Sequence, residues 1–137
     1  MLPIDEIFKT LKTASLFKSI DDDDLMGLAY RTKVREFEAG EKIFDQGGKE
    51  NEAYMVYLGH VGIYRNGLKM ASFRKREVFG EFSMLDGSQY SAAAEAEEFS
   101  MLLSISREDF FAQMKESESM THREIQLLCR RLKRHLV

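Results

Sequence analysis

The sequence predicts a mainly β fold with helices at both ends. Between Lys33 and Ile105, short β-branched, aromatic and aliphatic runs alternate with Gly, Asn and Asp turn signals. Strands of about four to six residues at this rhythm indicate an all-β barrel or jelly roll. Outside that stretch, apolar residues recur at helical spacing near both termini. A chain of 137 residues suffices for one compact domain with a core and is short for two of ordinary size. The expected division is N-terminal helices over 1–31, a β-barrel over 32–105 and C-terminal helices over 106–137.

At the N-terminus, Ile4, Ile7, Phe8 and Leu11 form one helical face, and Pro3 suits the first helical position. Leu16-Phe17 and Ser19 then lead into four consecutive acidic residues, Asp21 to Asp24. These read as a helix start, with carboxylates at the positive end of a helix that turns Leu25, Leu28 and Ala29 inward. The glycine and distal glutamate of a calcium loop are absent from the required offsets.

Within the β region, Phe37 leads to the turn Glu38-Ala39-Gly40, and Lys42 to Asp45 reads as a strand closed by Gln46-Gly47-Gly48. Tyr54 to Leu58 is apolar and aromatic throughout, as a strand covered on both faces should be. Gly59-His60 turns into Val61 to Arg65, and Asn66-Gly67 is a strong hairpin signal pairing that strand with Leu68 to Phe73. Further strands are expected before Phe79, after Gln89 and over Ser100 to Ile105.

Ser106 with Asp109, and Thr121 with Glu124, resemble capping boxes opening two helices, separated by a break at Ser117 to Ser119. The second helix carries an apolar stripe of Ile125, Leu128, Cys129, Leu132 and Leu136. Two readings stay open for it: packing on its own chain, or contact with a protein partner or a second copy. Arg123, Arg130, Arg131, Lys133, Arg134 and His135 make these turns basic, as expected at the negative end of a helix with a solvated outer face.

Composition narrows the function classes. Hydrophobic residues at 44% and charged ones at 31% are ordinary for a soluble protein, and a net charge of −3 gives no global pull toward nucleic acid. The single cysteine, Cys129, precludes an internal disulfide and fits a reducing compartment. No run approaches the roughly 20 apolar residues of a membrane span, and the acidic N-terminus is unlike a secretory signal. A cytoplasmic protein without membrane contact is expected. His60, His122 and His135 do not converge as metal ligands, and no nucleophile elbow is present. Neither an enzyme nor a cofactor is expected.

The stretch Phe79 to Ala96 carries the chemistry. It joins Gly80-Glu81, a short apolar turn, the Asp86-Gly87 turn signal and a run of small residues at Ser91 to Ala94. Small residues let a ligand approach the main chain closely. Free backbone N–H groups at a tight turn suit an anion such as phosphate, and an adjacent carboxylate accepts hydrogen bonds from sugar hydroxyls. A nucleotide's sugar-phosphate has both features.

Phe79-Gly80-Glu81, Met84-Leu85 and Ser91-Ala92 resemble the phosphate-binding cassette of the cyclic nucleotide-binding domain family. Gly40 to Gly47, Gly59 to Tyr64, Leu103-Ser104-Ile105 and Asp109-Phe110 are similar to further motifs of that family, so the resemblance runs from about Leu16 to Leu132. It implies a double-stranded β-helix (jelly-roll) barrel with N-terminal helices and a C-terminal hinge and lid. It also implies a ligand, cyclic AMP or cyclic GMP, with Glu81 at the ribose 2′-hydroxyl and the backbone of Gly80 and Phe82 nearby. Ser83 is included in the expected site, and Ser91 and the Ala92 N–H meet the cyclic phosphate. The family's Pro-Arg falls on Gln89-Tyr90, so the phosphate-pairing arginine is missing, and a tyrosine hydroxyl cannot replace its charge. Tyr90 either contacts a ligand or fills the phosphate pocket with its ring. Two functions follow: a cyclic nucleotide sensor acting through its C-terminal helix, or a degenerate member serving as an interaction or oligomerisation module. The chain leaves no room after the last helix for a DNA-binding domain, so output is expected through a separate partner or a homodimer.

Overall fold

The computed structural model describes residues 2–118 and 120–135. Leu136 of the apolar stripe and Ser119 of the expected helix break lie outside the described residues. The chain opens with α1 (Ile4–Lys12), a 3₁₀ turn at Ser15–Phe17 and α2 (Asp22–Arg31). Pro3 sits just before α1 rather than in its first turn, in extended backbone, and its carbonyl accepts from the N–H groups of Glu6 and Ile7. The acidic run is a helix start: Asp21 caps α2 by accepting from the Asp24 N–H at 2.9 Å.

Eight strands follow: β1 (Lys33–Phe37), β2 (Lys42–Phe44), β3 (Glu52–Leu58), β4 (Val61–Arg65), β5 (Leu68–Phe73), β6 (Val78–Phe79), β7 (Ala93–Ala96) and β8 (Ser100–Ser106). Helix α3 (Glu81–Asp86) interrupts them after β6, and α4 (Arg107–Glu116) and α5 (His122–His135) close the chain. The hairpin at Asn66-Gly67 has both residues at positive φ, 50° and 81°, as a type I′ turn demands. Ser106 accepts from the Asp109 N–H at the start of α4. Thr121 and Glu124 form the full reciprocal box before α5.

The strands form two antiparallel four-stranded sheets, ordered β1-β8-β3-β6 and β2-β7-β4-β5. Of the expected barrel or jelly roll, the structure shows the antiparallel sheets with flanking helices, without closure. The sheets do not close on one another: each is an open four-stranded order with two edges, β1 and the two-residue β6 in one, β2 and β5 in the other. The mainly β fold with flanking helices stands.

Two cores explain the apolar run of β3. Tyr54 and Val56 join Leu102 of β8 in an inter-sheet core with Phe44, Val61, Phe79 and Ala94. The alternating positions Ala53 and Met55, with Leu103 and Ile105, face a second core built with the helices. The central strands β3 and β8 are thus covered on both faces, which requires a continuous rather than alternating pattern. Ile125, Leu128 and Leu132 of α5 are buried in the helical core beside Leu85 and Met114. The apolar stripe, over its described residues, packs on its own chain.

Candidate functional site

The site begins where β6 ends. Gly80 has φ +77°, and a Cβ there would lie 2.8 Å from the Glu52 carbonyl oxygen, so the turn out of β6 requires glycine. The chain then enters α3, a helix of six residues that stops at Gly87, also in the left-handed region. The Ser88 N–H donates to Asp86 Oδ1 at 2.9 Å, turning the chain back toward β7.

Between α3 and the 88–92 segment lies a cavity of about 360 Å³. All seven predicted residues, Gly80, Glu81, Phe82, Ser83, Tyr90, Ser91 and Ala92, line it. A larger open groove of about 1010 Å³ runs along α4 and α5 past Phe111 and Ile125 and contains none of them. Among the described residues, the Ser91 and Ala92 N–H groups have no backbone acceptor.

The predicted residues differ in what they leave free. Glu81, in the first turn of α3, has no ion-pair partner among the described residues. Burial pushes its carboxyl above the ordinary carboxylate range, against the lowering effect of a hydrogen bond from its own backbone. A partly buried carboxylate without a cation is an acceptor with room for further donors. Ser83 is committed: its Oγ donates to the Ser88 carbonyl at 2.6 Å and lies 2.8 Å from Asn51 Oδ1. Phe82 is 41% exposed at the rim.

Tyr90 is 4% exposed. Its hydroxyl accepts from the Glu52 N–H and donates to the Glu52 carbonyl, both at 2.7 Å. The ring stacks on Phe44 with centroids 3.6 Å apart and planes 6° from parallel. Its own N–H donates to the Gly48 carbonyl, and its carbonyl accepts from the Gly47 N–H. The phenol is a structural bridge, and burial holds its pKa well above the ordinary tyrosine value.

The sequence reading missed Phe44 and Phe73, which complete the cavity wall from β2 and β5. Their strands were legible, but no local pattern ties them to the cassette. It also passed over Asn51 and Glu52, whose polar groups hold Ser83 and Tyr90.

Asp86 links the site to α5. Lys133 Nζ lies 3.7 Å from Asp86 Oδ2. Burial alone would raise the Asp86 carboxyl, but hydrogen bonds from Ser88 and the Lys133 ammonium outweigh it and hold it below its usual value.

The frame of two antiparallel sheets with flanking helices places the chain in a class of mainly β domains. The chain belongs to the cyclic nucleotide-binding domain family, whose description matches residues 34–117. It is 33% identical over 129 residues to the cyclic AMP receptor protein of Thermus thermophilus, covering 90% of this chain and 59% of that protein. It is 24% identical over 107 residues to the cAMP-dependent protein kinase regulatory subunit of Yarrowia lipolytica, covering 78% of this chain and 28% of that one. The chain therefore spans less than two thirds of the length of these curated relatives. In fold it is similar to the regulatory domain of Toxoplasma gondii PKA solved with cAMP, with a TM-score of 0.78 at 16% identity over 97% of this chain and 49% of that one. A cyclic nucleotide-binding-like protein from Brucella abortus gives a TM-score of 0.73 at 22% identity, over 81% of this chain and 99% of that one. Among the described residues, no helix is long and apolar enough to cross a membrane.

Proposed function

We propose that this chain is a non-catalytic regulatory domain that binds cyclic AMP, or the related cyclic GMP, in the cavity between α3 and the Ser91-Ala92 segment. The observation that carries this reading is Glu81, a partly buried carboxylate with no cationic partner among the described residues, lining one cavity with Ser91 and Ala92, whose N–H groups have no backbone acceptor among the described residues. In the proposed complex Glu81 accepts from the ribose 2′-hydroxyl, with the Gly80 and Phe82 backbone beside it, and Ser91 and Ala92 face the cyclic phosphate. Phe82 packs on the ligand from the rim, Ser83 shapes the loop from behind, and the Tyr90 ring forms a wall. The jelly-roll reading of the two sheets supports the same placement.

Output is proposed to pass through α5, the hinge and lid of this reading. Lys133 touches Asp86 at the end of α3, and Leu132 packs in one core with Leu85 of α3. A ligand that shifts α3 therefore has a mechanical route to α5, and α5 to a protein partner or a second copy. The second reading, a member that binds no nucleotide and acts as an interaction module, is favoured by Tyr90, whose hydroxyl is spent on Glu52.

Amide chemical shifts distinguish the two. Titration with cyclic AMP is expected to move the resonances of Gly80 to Ser83 and of Ser91 and Ala92 first, with α5 following. Unchanged spectra with millimolar cyclic AMP and cyclic GMP would favour the second reading.

A further inference from the structure

The cavity as lined presents a charge problem to any phosphate. Its wall contains the carboxylates of Glu81 and Asp86 and no Lys or Arg, while Tyr90 stands where a cation is expected and points its hydroxyl at Glu52. An anion entering this site needs a positive group from elsewhere in the chain.

The sheet register supplies one. In the β4–β7 ladder Val61 pairs with Ala96, Ile63 with Ala94 and Tyr64 with Ala93. Continuing that register one step beyond the ladder sets Arg65 opposite Ala92. Side chains alternate along a strand, so Arg65 shares its face with Val61 and Ile63, both of which contribute to the inter-sheet core. It therefore projects on the cavity side of the sheet, at its open end, and remains exposed. Its Nε donates to the Ser91 carbonyl at 3.2 Å, fixing the guanidinium against the residue expected at the phosphate. Among the described residues Arg65 makes no ion pair. A guanidinium has five N–H donors in a planar fork. With Nε held by Ser91, the two terminal nitrogens are free for an anion.

We propose that Arg65, on a strand outside the cassette, supplies the positive charge that binds the cyclic phosphate. The proposal rests on the nucleotide-binding reading above and assigns it a phosphate-binding residue. The cassette has in effect moved its cation from the loop after α3 to the neighbouring strand, freeing position 90 to serve the core.

The test is calorimetric and NMR titration of wild type, Arg65→Ala and Arg65→Lys with cyclic AMP and with adenosine, which lacks the phosphate. Thermal melts of each variant control for folding, which an exposed side chain should not disturb. Arg65→Ala is expected to weaken cyclic AMP roughly ten- to a hundredfold, the range for a charged hydrogen bond, and to leave adenosine shifts unchanged. Arg65→Lys recovers part of the loss as a point charge without the fork. Undiminished cyclic AMP binding by Arg65→Ala would overturn the Arg65 assignment while leaving the nucleotide reading intact. Equal losses for cyclic AMP and adenosine would overturn it too, marking Arg65 as a positioning residue. Wild type that binds neither cyclic AMP nor cyclic GMP would end the nucleotide reading and the role of Arg65 with it.

Discussion

Tyr90 is a core contact. Two hydrogen bonds to the Glu52 backbone and a stacked Phe44 tie the cassette to the start of β3. Tyr90→Phe leaves the Glu52 N–H and carbonyl without that partner and should cost about 1–3 kcal/mol of stability in a denaturant melt. Tyr90→Arg, the substitution that would rebuild the family motif, places a guanidinium among Phe44, Tyr54 and Phe79. It is expected to destabilise more than Tyr90→Phe rather than to create a binder. Glu81 behaves in the opposite way. Its pKa is raised in the folded protein, so the fold holds an extra proton between the ordinary carboxylate pKa and the raised value. Stability then falls as pH rises through that window. Glu81→Gln removes this loss and should not lower the Tm at pH 7, yet should weaken cyclic AMP by roughly tenfold through loss of a charged acceptor. For wild type, affinity should fall on acidification through the raised Glu81 pKa, because a protonated carboxyl loses acceptor capacity. The sequence shows that position 90 lacks a cation. It cannot show where the ring goes, because Glu52 and Phe44 lie far away along the chain.

At the scale of elements, the strands and the long helices are legible because each carries its own signal: Asn66-Gly67 for a hairpin, Thr121 with Glu124 for a helix start, β3 for a doubly covered strand. Helix α3 is not, since six residues between two left-handed glycines are too few to display a period. The partner of α5 was also undetermined, because an apolar stripe specifies burial without saying by what. The structure places Leu132 at 1% exposure in the helical core, whereas Leu127 is 43% exposed on the other face. Leu132→Ala should therefore cost about 2–5 kcal/mol, measured by chemical denaturation. Leu127→Asp should be nearly neutral in the same assay, and it is the cleaner probe for a partner surface on α5. A large stability loss from Leu127→Asp in the isolated protein would contradict the placement of the helix.

For the whole molecule, the decisive arrangement is a pair of central strands, β3 and β8, covered on both faces, by the inter-sheet core on one side and the helical core on the other. Residues of β3 serve both: Tyr54 and Val56 face the inter-sheet core, Ala53 and Met55 the helices. The continuous apolar run of β3 shows this double burial in the sequence, but the pairing order that leaves both sheets open is set by contacts between residues far apart along the chain. Because the cavity is lined from α3, the 88–92 segment, β2 and β5, a nucleotide bound there should stabilise the entire cooperative unit. The expected gain is about 2.7 kcal/mol at a ligand concentration one hundred times Kd. The most direct test is a calorimetric titration of the wild-type protein with cyclic AMP and cyclic GMP, paired with thermal melts at the same concentrations. Saturable one-to-one binding accompanied by a rising Tm is the predicted result. No heat and no Tm shift at millimolar nucleotide, from a protein that melts cooperatively, would contradict it.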